Sequence, residues 1–217
     1  NRLLAGVGTS EGFFVPEPAK GQPFVPFVRD EVIEEGVANL LRAIGYESGV
    51  VPLAGIAERE AHQNGLSLEW RSPGPRELAH RVLGHIEFQS RRITLFSYPD
   101  ANVGRERFTL AHELGHHFLD HARFMVSEDC DGNDLDDQPE PGDDDIRRLE
   151  YQADRFASLL LLATVPFREA AHRVAAALDV RDRGRGLFYL DDQKCNQEAY
   201  DLACGALASE FQASRLA

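Results

Sequence analysis

Apolar and polar residues follow two different periods along this chain, and the periods predict which segments form helices and which form strands. From 30 to 44, apolar residues recur every three or four positions after Asp30, a favourable first residue for a helix. The same spacing predicts further helices over about 52–63, 108–121, 150–162, 166–178 and 193–211.

Three short runs are instead typical of β-strands. Residues 66–70 alternate between apolar and polar side chains, and two further runs, 82–88 and 91–98, are joined by Gln89 and Ser90. A connection of two residues is typical of a hairpin, so the two longer runs should pair in antiparallel orientation. Together with the helices, these strands predict an α+β fold.

The helix predicted over 108–121 carries His112, Glu113 and His116 in the pattern His-Glu-x-x-His. Residues four apart share one face of a helix, so the two histidines can bind one metal ion. Glu113 lies one step round the helix, where a general base that activates water is needed. Most other residues of this helix are apolar or small, which predicts burial, and burying unpaired polar groups costs roughly several kcal/mol. A zinc ion would offset that cost.

A third metal ligand is expected on the helix predicted over 150–162. Glu150 and Asp154 lie one turn apart there, on the same face. Glu150 would complete a site of two histidines and one carboxylate with an open fourth position. Asp154 would accept the free ring N–H of a ligand histidine. The alternative is that both residues only favour the start of a helix, where acidic side chains are stabilising.

These two segments resemble the ImmA/IrrE family of zinc metallopeptidases. The matching residues are 107–116, Leu119, His121, Glu150, Ala153, Asp154, Phe156, Ala157, Leu160 and Leu161. The resemblance implies a thermolysin-like minimal zincin, in which a small antiparallel sheet packs on the active-site helices and a helical C-terminal segment follows. It also implies that His112, His116 and Glu150 bind zinc. Glu113 is then the catalytic base.

In a zincin, an edge strand beside the active helix receives the substrate through backbone hydrogen bonds. Residues 91–98 are the candidate for this edge strand. The transition state of peptide hydrolysis also needs a further hydrogen-bond donor. The sequence does not choose among the candidates for that donor, of which His121 and Tyr151 are two and the others are His117, Tyr98 and Tyr189.

The chain is expected to divide into three parts. Residues 1–29 are rich in glycine and proline and predict an extended N-terminal arm. Residues 30–163 would form the metallopeptidase domain. Residues 164–217 would form a helical segment whose end, from 207, is similar to the opening of a helix-turn-helix module, which predicts that this module is truncated.

The composition limits the partners of the protein. Its net charge of -13 and pI near 5.0 argue against direct binding of nucleic acid and favour a basic protein partner. The sequence contains no apolar run of membrane-spanning length and no signal-peptide pattern, and its three cysteines suit a reducing cytoplasm. The acidic stretch 128–145 is predicted to be a mobile loop that steers a cationic partner towards the site or only keeps the protein soluble.

The leading functional hypothesis is a zinc-dependent endopeptidase that performs limited proteolysis of a partner protein. The family resemblance implies that this partner is a helix-turn-helix transcriptional repressor in a phage, mobile-element, toxin–antitoxin or stress-response system. One alternative is a non-catalytic regulator that binds the repressor and uses its metal only for structure, although a purely structural site has no need of Glu113. The other is a peptidase with broad substrates.

Overall fold

The computed structural model describes residues 25–131, 144–182, 184, 186–188 and 193–214. The predicted N-terminal arm therefore lies outside the described residues apart from 25–29, and so does the centre of the acidic stretch, 132–143. Within the described ranges, no helix combines the length and the apolar character needed to cross a membrane.

Helices and a small sheet make up the described chain, which confirms the α+β class and the helical C-terminal segment. The helices are α1 (Asp30–Ala43), α2 (Leu53–Asn64), α3 (Pro75–His80), α4 (Val103–Phe118), α5 (Asp144–Leu161), α6 (Thr164–Ala177) and α7 (Lys194–Phe211). The strands are β1 (Ser67–Arg71), β2 (Val82–Glu87), β3 (Arg92–Phe96) and β4 (Ser127–Asp131). The sequence pattern predicts neither α3 nor β4.

The four strands form one sheet in the order β1-β3-β2-β4. The predicted hairpin is confirmed, because β2 and β3 pair in antiparallel orientation. The sheet is mixed rather than wholly antiparallel, since β1 pairs with β3 in parallel orientation. A parallel pair requires a crossover connection, which α3 and β2 provide between the ends of β1 and β3.

The prediction that residues 91–98 form the edge strand is wrong. Strand β3 lies inside the sheet between β1 and β2, and its Ile93 and Leu95 are buried. Among the described strands, the edges are β1 and β4. Strand β4 covers the side of β2 that would otherwise be open, and it comes from the acidic stretch 128–145, whose composition disfavours strands.

Helices α4 and α5 pack against each other at the centre of the fold. Phe118 of α4 stacks on Phe156 of α5, with ring centroids 5.6 Å apart. Further buried apolar residues come from the sheet and from α1 and α2, and they include Ile33, Ile56 and Ile93. This core fixes the distance between the two helices that carry the predicted metal ligands.

Gly115 lies where α4 packs closely against α5. A methyl group on Gly115 would lie 3.0 Å from the carbonyl oxygen and 3.1 Å from the Cα atom of Ala153. We expect Gly115→Ala to lower the free energy of unfolding, because overpacking costs about 1–3 kcal/mol and exceeds the gain of about 1 kcal/mol from replacing a helical glycine. The displacement of α5 should also weaken metal binding. Urea unfolding and a zinc titration measure the two effects.

Gly205 provides the matched control for this prediction. It lies within α7, and a methyl group on it would meet no heavy atom within 4 Å. Gly205→Ala should therefore raise stability by up to about 1 kcal/mol and leave metal binding unchanged. A Gly115→Ala protein that is as stable as the Gly205→Ala protein would show that α5 accommodates the methyl group.

The C-terminal segment packs on itself and on the start of α4. Phe211 of α7 is buried against Phe167 of α6, with ring centroids 5.7 Å apart. Beyond α7, the backbone passes so close to Gly104 that a methyl group there would lie 2.6 Å from the amide nitrogen of Ser214. The predicted boundary between 163 and 164, and the helix-turn-helix interpretation of this segment, stay predictions.

Candidate metal centre

Helix α4 presents His112 and His116 to the same point. The helix begins after Asn102, whose side chain accepts a hydrogen bond of 2.8 Å from the amide of Arg105. The two histidines are one turn apart and buried, and their Nε2 atoms lie 3.0 Å from each other. Two imidazole nitrogens facing each other at this distance form half of a metal site.

Helix α5 brings the carboxylate of Glu150 to these two rings. Its Oε2 atom lies 3.3 Å from Nε2 of His112, and its Oε1 atom lies 3.7 Å from Nε2 of His116. The Oε1 atom is buried and has no hydrogen-bond partner among the described residues. Two facing histidines with a carboxylate oxygen in need of a partner fit a divalent metal such as zinc.

A fourth donor, Glu128 of β4, joins the group. Its Oε2 atom lies 3.9 Å from Nε2 of His116, and one ligand atom from each of His112, His116, Glu128 and Glu150 lies within 4.8 Å of the others. The sequence pattern does not single out Glu128, because the whole acidic stretch predicts a loop. Only the pairing of β4 with β2 brings this side chain to the histidines.

Asp154 lies where the sequence analysis expects it, behind His112. Its Oδ1 atom is 2.8 Å from Nδ1 of His112. When Nδ1–H of His112 donates to this carboxylate, the lone pair on Nε2 points into the cluster, as a metal ligand requires. The contact therefore suits the expected role of Asp154 in orienting the imidazole.

We expect Asp154→Asn to weaken zinc binding by about 10- to 100-fold while the fold stays intact, because the ring loses a charged acceptor. Competition with a chromophoric chelator measures the affinity, and circular dichroism checks the fold. Asp201→Asn, on α7, is the control for the loss of one negative charge. An affinity equal to that of the wild type would assign Asp154 to the ordinary surface of the helix.

His116 is held from behind by a chain of hydrogen bonds. Its Nδ1 atom lies 2.9 Å from Nδ1 of His121, and Nε2 of His121 lies 3.2 Å from Oε1 of Gln152. The amide nitrogen of Gln152 donates to the carbonyl oxygen of Pro26 at 3.0 Å. Because Gln152 offers its oxygen to His121, each ring in turn donates one N–H, and the Nε2 lone pair of His116 is left facing the cluster.

His121 and Tyr151, the candidates for stabilising the transition state, lie elsewhere. His121 contacts the side of His116 that faces away from the cluster. The hydroxyl of Tyr151 donates to Oδ1 of Asp30 at 2.9 Å and links α5 to α1. His121 is thus placed to orient a metal ligand, and Tyr151 to join two helices.

Glu113 is fully buried between α4 and β2. A methyl group on Gly84 would lie 2.6 Å from Oε1 of Glu113 and 2.6 Å from Cγ2 of Thr109, so only glycine fits here without displacing a neighbour. The sheet has an irregular register between Val82 and Gly84. Among the described residues, the cluster of candidate ligands does not include Glu113.

The electrostatics of the site follow from burial and from these contacts. Burial would lower the pKa of His112, but the hydrogen bonds to Asp154 and Glu150 outweigh it and the pKa is raised well above the usual value. Burial would raise the pKa of Glu150, yet its contacts with His112 and His116 hold that pKa far below the usual value. Burial lowers the pKa of His121 to about 3. At neutral pH the site therefore contains an ionised Glu150 and a neutral His121.

Parts of the chain are similar to known proteins. Residues 80–180 match the family model of the IrrE N-terminal-like domain, Peptidase_M78. No curated protein matches the chain. A solved structure of a Mycobacterium tuberculosis transcriptional regulator is similar to it, with a TM-score of 0.48 and 16% sequence identity over 70% of this chain. The chain covers half the length of that structure.

Proposed function

Since residues 80–180 match the model of the IrrE N-terminal-like family, Peptidase_M78, we propose that this metallopeptidase-like domain is a zinc-dependent endopeptidase of the zincin type. The observation that carries the proposal is the convergence of His112, His116 and Glu150 on one point, where Oε1 of Glu150 lacks a hydrogen-bond partner among the described residues. Zinc, when bound there, supplies a Lewis acid that polarises a carbonyl group and lowers the pKa of water.

The other parts of the proposed mechanism are assigned to individual residues of the chain. His112, His116 and Glu150 hold the metal, and Asp154 fixes the ring of His112. The carboxylate of Glu113 takes a proton from the attacking water and passes it to the leaving amine. Its burial beside Gly84 keeps that carboxylate in one place for both transfers.

The proposed substrate is a basic DNA-binding protein, most specifically a helix-turn-helix repressor that is cut once or a few times. Two features support this class: the resemblance of the two helices to repressor-cleaving peptidases and the net charge of -13. A protein of this charge attracts a cationic partner and repels nucleic acid. Removal of a repressor would place the enzyme in transcriptional regulation, for example in a stress response.

The test of this function begins with Glu113→Gln protein, which should bind the substrate and leave it uncut. The protein that co-purifies with this variant is identified by mass spectrometry and then incubated with zinc-loaded wild-type protein. We expect one or a few fragments, and none after treatment with a chelator. A co-purified partner that stays intact with the zinc-loaded wild type would contradict the proposal.

Charge steering gives a further expected result. Neutralising Asp143, Asp144 and Asp145 to Asn should slow cleavage of a basic partner and flatten its dependence on salt, because fewer charges attract the partner. Cleavage rates are compared between about 50 and 500 mM salt, a range over which the screening length falls several-fold. If the variant and the wild type cleave at equal rates with an equal salt dependence, this stretch contributes only to solubility.

The non-catalytic regulator remains the second candidate, and one observation favours it. Structural zinc sites are closed by four protein ligands, and Glu128 brings a fourth donor to the cluster. In this function the chain would inactivate the repressor by binding alone. Glu113→Gln protein that still silences the repressor, with no cut in it, would establish this alternative.

A further inference from the structure

Strand β4 lies along the edge of β2 as an extended, antiparallel segment. Glu128 is opposite Ile86, and Asp129 is opposite His85. The pairing continues past the strand, where the amide of Phe88 donates to the carbonyl oxygen of Val126 at 3.2 Å. Backbone hydrogen bonds of this kind depend on no particular side chain, so another extended segment can form them with β2 as well.

The edge of β2 that β4 covers lies close to the proposed catalytic base. Gly84 of β2 packs directly against Glu113, the proposed base. A segment bound along β2 in the place of β4 thus passes beside the cluster formed by His112, His116 and Glu150, because Glu128 of β4 reaches that cluster. This is where a peptide bond has to lie if water activated by Glu113 is to attack it.

The side chain of Glu128, which comes from β4, reaches into the cluster where the substrate would have to bind. Its Oε2 atom lies 3.9 Å from Nε2 of His116, within the cluster of candidate ligands. A catalytic zinc site has three protein ligands and keeps the fourth position for water or substrate. A carboxylate oxygen from Glu128 in that position would exclude both.

We propose that β4 occupies the place of the substrate, and that an extended segment of the substrate replaces it on β2 and releases Glu128 from the metal. This inference rests on the proposed function and adds the binding surface to it, namely the outer edge of β2. The protein alone is then inactive, and binding of its own substrate displaces β4 and makes it active.

The contacts that hold β4 are compatible with such an exchange. Oδ1 of Asp129 lies 2.7 Å from Nδ1 of His85, and its other oxygen contacts Arg76. These side chains are partly exposed, and exposed ion pairs contribute only about 0–1 kcal/mol each. A substrate with an acidic or hydrogen-bond-accepting residue in the position of Asp129 can make the same contacts. A basic repressor with one such residue near the cut is the partner that fits.

The fourth coordination position can be tested with azide, a small anion that binds open metal sites. The protein is loaded with cobalt(II), and azide is titrated against the visible absorption of the metal. We expect Glu128→Ala and Glu128→Gln to bind azide about 10-fold more tightly than the wild type. If Glu128 leaves the fourth position of the wild type open only about a tenth of the time, the apparent affinity for azide is reduced about 10-fold. Glu87→Gln, on β2 and away from the cluster, should behave like the wild type.

A reversible crosslink tests the exchange of the strand itself. Glu87 and Ser127 are directly opposite each other, so Glu87→Cys with Ser127→Cys can form a disulfide between β2 and β4. The exposed Cys195 and the half-buried Cys204 are changed to Ser in all samples. The oxidised protein should lose at least about nine-tenths of its cleavage of the co-purified partner, and reduction should restore it.

Two results would overturn this inference and leave the proposed peptidase in place. One is equal azide affinity in the wild type and both Glu128 variants, and the other is equal cleavage by the oxidised and reduced crosslinked proteins. A wild-type chain that binds no cobalt or zinc would overturn the proposed function and this inference together.

Discussion

Glu113→Gln should lower the rate of substrate cleavage by about 100- to 10,000-fold, the contribution typical of a general acid–base group. Glutamine has the shape of glutamate, so it can fill the buried space beside Gly84 without disturbing β2. It cannot accept the proton of the attacking water. Zinc content should stay at about one per chain, because the cluster of candidate ligands leaves Glu113 out.

Glu106→Gln is the matched control for that measurement. Glu106 lies on the same helix, seven residues earlier, in the first turn of α4. Its substitution removes the same charge and should leave the cleavage rate within about a factor of two, as expected of a residue away from the site. Full activity in Glu113→Gln protein with zinc bound would mean that another group carries the proton.

Glu150→Ala should release the metal. Loss of a residue that only orients a ligand costs about 10- to 100-fold in affinity, so loss of a ligand should cost more than about 100-fold. The remaining pair, His112 and His116, would then have one carboxylate fewer to balance the charge of zinc. Elemental analysis after dialysis and a chelator competition measure the loss.

The control for this second prediction is Glu169→Ala, on the exposed side of α6. It removes an equal side chain at a distance from the cluster and should leave zinc bound at about one per chain. If Glu150→Ala protein retains zinc with the affinity of the wild type, Glu128 must supply the third ligand. The assignment of the ligands would then move from α5 to β4.

The two helices of the site could be predicted because the spacing of residues within each helix is enough to show which side chains share a face. A spacing of four places His112 and His116 on one face whatever surrounds the helix. The same spacing brings Glu150 and Asp154 to one face of α5, and the structure places both beside His112. The match to the peptidase family model covers this same part of the chain.

The surroundings of the helices depend on contacts between distant segments, which a pattern in the sequence does not contain. Strand β4 is acidic and forms by pairing with the edge of β2, so the sequence alone does not indicate that Glu128 is a candidate ligand. His121 turns back behind His116 because Asp120 adopts a left-handed conformation with φ of 56°. Aspartate tolerates that conformation better than most residues, but nothing in the sequence requires it at this position.

The chain of hydrogen bonds behind His116 has a direction. Gln152 therefore influences metal binding, although His121 and His116 lie between it and the cluster of candidate ligands. Its amide nitrogen is committed to the carbonyl oxygen of Pro26, so its oxygen must face His121. Rotation of the amide by half a turn would present N–H to His121 and reverse the polarity of every bond up to His116. The ring would then turn a hydrogen, rather than a lone pair, towards the metal. The affinity of the site for metal is thus sensitive to whether the segment at Pro26 is docked on α5.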